Sequence, residues 1–154
     1  TQLAPTSGSM GYGVPAAVSA KLRHPDRAVI AFAGDGCFLM TGQELATAVR
    51  HDAPVVFIVV DNGMYGTIRM HQEREYPGRE SATSLKNPDF AALARAYGAE
   101  AWTVTKTDEF RPALHRALAC GKPSLIHIHI DPEAITPSQS MSQIRAAAEE
   151  RLRG

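Results

Sequence analysis

The sequence lacks several features that would assign it to other classes of protein. Its 154 residues include only two cysteines, Cys37 and Cys120, which are too few for a disulfide scaffold or a cysteine-based zinc site. Sixteen basic and sixteen acidic residues cancel, so no basic surface favours nucleic acid. The longest apolar run is far too short to cross a membrane. These absences predict a globular, cytoplasmic protein with no nucleic-acid or membrane partner.

Two common phosphate-binding motifs are also missing. The sequence has no P-loop with its lysine, and no Gly-x-Gly-x-x-Gly opens a helix after the first predicted strand. A dinucleotide binder of the Rossmann type is therefore disfavoured. A neutral domain without these motifs can still hold a diphosphate if a divalent metal and backbone N–H groups balance the charge.

Apolar runs alternate with helical patterns along the chain. Residues 29–33 and 55–60 are β-branched and nearly free of charge, which is typical of parallel strands buried on both faces. Further strands are predicted over 101–104 and 124–130, and helices over 14–22, 41–52, 66–73 and 141–152. This alternation predicts an α/β fold, an open and mostly parallel sheet with helices on both faces. We expect one domain over residues 1–132 and a carboxyl-terminal tail with a helix over 133–154.

Small polar residues follow the first two predicted strands and are expected to form loops. Gly34-Asp35-Gly36 follows the first strand, and Asp61-Asn62-Gly63-Met64-Tyr65-Gly66 follows the second. Open α/β sheets bind ligands beyond the carboxyl ends of their strands. A carboxylate, an amide oxygen and loop carbonyls there are hard donors that suit Mg²⁺ or Ca²⁺.

These segments resemble a known cofactor fingerprint. Gly34-Asp35-Gly36, a helix-length spacer and Asp61-Asn62 are similar to the thiamine-diphosphate motif, which begins with Gly-Asp-Gly and ends with Asn-Asn. The stretch Gly8-Ser-Met-Gly-Tyr-Gly-Val-Pro-Ala-Ala17 resembles the helix start of the same proteins. Over nearly its whole length, the chain resembles the carboxyl-terminal cofactor domain of the acetolactate synthase and benzoylformate decarboxylase superfamily.

The resemblance implies thiamine diphosphate and Mg²⁺ as cofactors. It implies Asp35, Asn62 and the backbone carbonyl of Met64 as the metal ligands. It places Gly8 against the pyrimidine amino group and Met10 under the bent cofactor. Further cofactor contacts are implied for Gly34, Gly36, Cys37, Tyr65 and Gly66.

The resemblance also implies an activity and its partners. It implies decarboxylation of a 2-oxo acid followed by carboligation or aldehyde release, which is transferase or lyase chemistry. The glutamate that tautomerises the cofactor is expected in a pyrimidine-binding domain of a neighbouring subunit, so no catalytic residue is assigned here. We expect the chain to be the carboxyl-terminal part of a homodimer or homotetramer. The alternative is a non-catalytic module of the same fold that serves assembly or regulation.

Asp61 departs from the fingerprint, because it stands where the first asparagine of the motif is expected. A second carboxylate near a diphosphate would repel it. We therefore expect Asp61 to turn into the protein, where it caps a helix or pairs with a cation.

Other polar side chains are given structural roles. Asn87 is expected to cap a helix that has Pro88 at its first position. His127 and His129 are expected to lie on the wetter face of a strand. A solvated helix face is expected to carry Arg69, His71, Glu73 and Arg74.

Overall fold

The structure is a computed structural model, and it describes residues 1–153. The strands are β1 (Val29–Gly34), β2 (Val55–Asp61), β3 (Glu100–Val104) and β4 (Ser124–His129). The helices are α1 (Gly13–Arg23), α2 (Asp35–Thr41), α3 (Leu45–Arg50), α4 (Gly66–Glu75), α5 (Phe90–Ala96), α6 (Thr107–Ala119) and α7 (Met141–Arg153), with a 3₁₀ turn over Gly42–Glu44.

All four strands form one parallel sheet in the order β1-β2-β4-β3. Val55 pairs with Val29 of β1, and Val56 pairs with Ser124 of β4, so β2 lies inside the sheet. The predicted α/β fold with a parallel sheet is confirmed. β1 and β2 were predictable because each is an apolar run with almost no charge.

The core has one layer on each face of the sheet, and β2 contributes to both. Val55, Phe57 and Val59 belong to the larger cluster, together with buried residues of α1, α2, α3 and α5. Val56 and Ile58 belong to the smaller cluster, which α6 covers. This alternation follows from the two-residue period of a strand. It explains why β2 has an apolar side chain at every position before Asp61.

The chain divides into two compact units. The first contains residues 1–61 and 87–129, and therefore the whole sheet. The second contains residues 62–86 and 130–154, and its helices α4 and α7 pack against each other. Within the described residues, no helix has the length and apolar character needed to cross a membrane.

The segment after β1 differs from the prediction. Gly34 is extended, and Asp35 is already the first residue of α2, so Asp35 and Gly36 lie in a helical turn and not in a loop. The helix predicted over 41–52 is interrupted by the 3₁₀ turn before α3. The Thr41 hydroxyl donates to the Gly11 carbonyl at 2.7 Å.

Candidate functional site

Asp35 lies at the carboxyl end of β1 and is almost completely buried, with 3% of its surface exposed. Its Oδ1 accepts a hydrogen bond from the backbone N–H of Gly36 at 2.8 Å. Its Oδ2 accepts one from Nδ2 of Asn87, also at 2.8 Å. Both carboxylate oxygens are therefore held in place, as a ligand for an ion requires.

Asn87 connects two carboxylates, and the prediction that it caps a helix is wrong. Its Nδ2 donates to Asp35 Oδ2 and to Asp61 Oδ1, each at 2.8 Å. The cap of α5 is Asp89, whose Oδ1 accepts from the Ala92 N–H at 3.0 Å. An amide nitrogen has two hydrogens, so one Asn87 side chain supplies a donor to each carboxylate.

Asp61 is turned into the protein, as predicted. Its side chain is 7% exposed, and its Oδ2 lies 2.8 Å from Nε2 of His127. His127 is itself 2% exposed, so the prediction that it lies on a wetter face is wrong. Its ring packs edge-on against Phe90, with 5.1 Å between ring centroids. His129, two positions further along β4, is the solvent-accessible histidine of the pair.

The electrostatics of the two carboxylates, Asp35 and Asp61, favour a cation beside Asp35. Burial raises the pKa of the Asp35 carboxyl above its ordinary value, and Asp61 adds to the rise, while the hydrogen bonds from Asn87 and Gly36 oppose it. A divalent cation would stabilise the charged form and reverse this shift. The residues present therefore fit a divalent metal ion.

Four of the predicted cofactor residues line one open cavity of about 1220 Å³ in the first unit. They are Gly8, Met10, Gly34 and Cys37. Gly8 has a φ of +66°, a conformation that favours glycine. Met10 is 39% exposed, so its side chain is not buried in the core. A partly exposed apolar side chain beside an open cavity is suited to contact a ligand.

The remaining predicted residues lie in the second unit. Asn62 Oδ1 accepts from the Met64 N–H at 3.2 Å, and the Tyr65 N–H donates to the Thr83 carbonyl at 2.9 Å. Gly66 begins α4. A Cβ on Gly66 would lie 2.7 Å from Asn62 Nδ2 and 2.8 Å from Ile135 Cδ1, so only glycine leaves the Asn62 amide where it is.

Sequence reasoning misplaced Glu73, which is fully buried and not on a solvated helix face. It pairs with Arg145 of α7 and with Arg69 of α4. Asn87 and His127 were also missed as parts of the site. The local sequence carries no signal for either contact, because 52 residues separate Asn87 from Asp35 and 66 separate His127 from Asp61.

A buried carboxylate at the end of a parallel strand, beside a glycine-lined cavity, is typical of a cofactor site in α/β proteins. The family model described as "Thiamine pyrophosphate enzyme, C-terminal TPP binding domain" matches residues 1–128, and the chain belongs to this family.

Individual relatives agree with this assignment. The chain is 41% identical over 131 residues to a probable acetolactate synthase large subunit of Methanocaldococcus jannaschii. That match covers 84% of this chain and 22% of that protein. It is 45% identical over 115 residues to the acetolactate synthase large subunit of Corynebacterium glutamicum, and the match covers 71% of this chain and 18% of that protein. The chain thus spans less than a quarter of either relative.

A solved structure shows the same fold. It is the thiamine diphosphate-dependent 4-hydroxybenzoylformate decarboxylase of Rhodococcus jostii RHA1, with a TM-score of 0.78 and 36% sequence identity. The match covers 82% of this chain and 24% of that chain.

Proposed function

We propose that this chain is the cofactor-binding domain of an acetolactate synthase-like enzyme that decarboxylates a 2-oxo acid and transfers the product. In this proposal it binds the diphosphate of thiamine diphosphate through Mg²⁺. The observation that carries the proposal is the buried Asp35 carboxylate, whose two oxygens are fixed by Gly36 and Asn87. The family assignment and the acetolactate synthase relatives support it.

The metal would be held by Asp35, Asn62 and the carbonyl of Met64. The Asn62 amide oxygen accepts one hydrogen bond from the Met64 N–H, and its second lone pair remains suited to a hard cation. Phosphate oxygens and water would complete the coordination, since Mg²⁺ rarely loses all its waters to protein ligands.

The organic cofactor would lie against the glycine-rich segments. Gly8, Met10, Gly34 and Cys37 would contact it from the cavity of the first unit. Gly36, Tyr65 and Gly66 would complete the contacts to the diphosphate, with α4 directing N–H groups of its first turn toward the anion. Bound thiamine diphosphate supplies carbanion stabilisation, and this chain supplies binding and orientation.

The proposal extends to the whole protein. The catalytic glutamate would come from the pyrimidine-binding domain of a neighbouring subunit in a cytoplasmic homodimer or homotetramer. The division into residues 1–132 and 133–154 stays a prediction. The alternative is a non-catalytic module, which the departure at Asp61 favours; the Asp61 carboxylate contacts Asn87 and His127.

Substituting Asp35 tests the proposal. Asp35→Ala should abolish Mg²⁺-dependent binding of thiamine diphosphate, as measured by titration calorimetry with and without Mg²⁺. Alanine is a good helix former, so α2 should persist, and circular dichroism checks this. Asp108→Ala is the matched control, since Asp108 is an exposed carboxylate in the first turn of α6. Unchanged binding by Asp35→Ala, or equal binding without Mg²⁺, would overturn the assignment.

A further inference from the structure

The carboxyl ends of β2 and β4 bring together a carboxylate and two imidazoles. Residues two apart on a strand share a face, so His127 and His129 project from the same side of β4. Asp61 is in register with His129 on the neighbouring strand. Its Oδ2 lies 2.8 Å from His127 Nε2 and 3.9 Å from His129 Nδ1. One donor atom from each of the three residues lies within 4.8 Å of the others.

These distances suit a transition-metal ion. Zinc binds imidazole nitrogen and carboxylate oxygen at about 2.0–2.2 Å, which places the donors of a tetrahedral site roughly 3.3 Å apart. The two distances from Asp61 Oδ2 lie on either side of that value. Asp61 Oδ1 accepts from Asn87, so the second oxygen can serve the metal without breaking that hydrogen bond. The half-exposed side chain of His129 gives an ion and a water ligand access.

The other nitrogen of His127 provides an independent observation. His127 is 2% exposed, and its Nδ1 is buried without a hydrogen-bond partner among the described residues. The nearest carboxylate oxygen recorded for it is Asp89 Oδ1, at 3.9 Å. A metal on Nε2 places the proton on Nδ1, where metal-bound histidines typically donate to a carboxylate. In the tautomer whose Nε2–H donates to Asp61, the Nδ1 lone pair stays buried without a partner among the described residues.

We propose that Asp61, His127 and His129 form a binding site for a divalent transition-metal ion such as Zn²⁺ or Co²⁺. Two imidazole ligands disfavour Mg²⁺, which prefers oxygen donors. None of the three residues belongs to the ligand set proposed for Mg²⁺. The inference therefore does not depend on the proposed cofactor function.

The competing explanation is a simple hydrogen-bonded pair of Asp61 and His127, in which His129 has no role. The two explanations differ in what they require of His129. A metal site needs the His129 imidazole, whereas the hydrogen-bonded pair does not. His129 is half exposed at the end of β4, so its replacement leaves the core of the sheet intact.

The test is titration of the metal-free 154-residue chain with Zn²⁺ by calorimetry in the presence of excess Mg²⁺. We expect one Zn²⁺ per chain for the wild type and affinity weakened at least about tenfold in His129→Ala. The matched control is His115→Ala, an exposed histidine of α6, which should bind Zn²⁺ like the wild type. Mg²⁺-dependent thiamine diphosphate binding should persist in His129→Ala, which separates this site from the cofactor site.

The absorption spectrum of the Co²⁺-loaded chain identifies the ligands. Cys37 and Cys120 are free thiols that could capture the metal instead. The proposed site predicts visible ligand-field bands without a thiolate charge-transfer band. Equal Zn²⁺ affinity in the wild type and His129→Ala, no stoichiometric binding, or a thiolate band that accounts for the bound metal would each overturn the proposal.

Discussion

The ion-pair network around Glu73 allows a quantitative prediction about the second unit. Glu73 is fully buried on α4 and accepts hydrogen bonds from Arg145 Nη2 at 2.6 Å and Arg145 Nε at 2.8 Å. Arg69 Nε and the backbone N–H of Gly78 each donate to it at 2.8 Å. One carboxylate therefore fixes α4 against α7 and fixes the turn after α4. The same helix begins at Gly66, in the segment proposed to bind the diphosphate.

The pKa of Glu73 gives the size of this effect. The hydrogen bonds from Arg145 are the main cause that lowers it from its usual 4.5 to about 2, against the opposing effect of burial. A shift of this size corresponds to about 3 kcal/mol of stability. Because the folded-state pKa is depressed, the contribution is fully present above about pH 5. It is lost as the pH falls from 4.5 toward 2.

Glu73→Gln tests this reasoning. Removing the charge leaves Arg145 and Arg69 without their carboxylate, and we expect the unit to lose about 3 kcal/mol at pH 7. The difference between the wild type and the variant should shrink as the pH approaches 2. The single tryptophan, Trp102, lies in the first unit, so its fluorescence does not report on this change. Hydrogen exchange of peptides from residues 66–75 and 141–153 measures the opening free energy directly.

A matched control compares the buried ion pair of Glu73 with a more exposed ion pair on the same unit. Glu149 is a half-exposed carboxylate on α7 whose ion pair with Arg153 has an N–O distance of 3.8 Å. Glu149→Gln should change the opening free energy by less than about 1 kcal/mol. If Glu73→Gln had the same effect at pH 7 and at pH 3, or an effect no larger than the control, the assigned ion pair would not stabilise the unit.

Two further substitutions test the proposed cofactor site. Gly66→Ala places a methyl group within 2.8 Å of both Asn62 Nδ2 and Ile135 Cδ1, so we expect Mg²⁺-dependent binding of thiamine diphosphate to weaken about tenfold. Calorimetry measures this, and unchanged affinity would show that the Asn62 position is unimportant. Asn87→Leu removes the donor shared by two buried carboxylates and should destabilise the first unit by about 1–3 kcal/mol. Urea denaturation followed by Trp102 fluorescence measures it, and an unchanged midpoint would contradict the bridging role.

The fold was predictable because its signals are local. The runs that became β1 and β2 are apolar and short, as strands are, and their spacing requires a crossover between parallel neighbours. β2 is buried, but Ile30 and Phe32 of the edge strand β1 are exposed, so the prediction that β1 is buried on both faces is wrong. The start of α4 at Gly66 was also correct. Local signals failed after β1, where Gly-Asp-Gly has the composition of a turn. An extended Gly34 instead allows the helix to begin at Asp35, and tertiary packing stabilises that helix despite its glycine.

The polar contacts of the site were less predictable because they join distant residues. Asn87 precedes a proline in a segment that suits a helix cap, and nothing in its neighbours indicates two carboxylate partners. Glu73 has the sequence context of a surface helix, since Arg69 and Arg74 surround it. Its burial depends on Arg145, 72 residues away on α7. Such contacts exist only once the chain is folded. The hydrophobic periodicity of the sequence and the helix and strand propensities of its residues do not encode them.

Asp61 shows how a departure from a motif can be accommodated. An asparagine at this position could accept from Asn87 with its oxygen and donate to His127 with its nitrogen, because His127 can accept in its other tautomer. Hydrogen bonding alone therefore does not require the carboxylate. What aspartate adds is a negative charge and a second oxygen, facing two imidazoles at the end of a strand. Among the residues that could satisfy Asn87 and His127, aspartate is the one that also makes a transition-metal ligand set. The departure from the fingerprint thus supplies the carboxylate ligand of the proposed metal site.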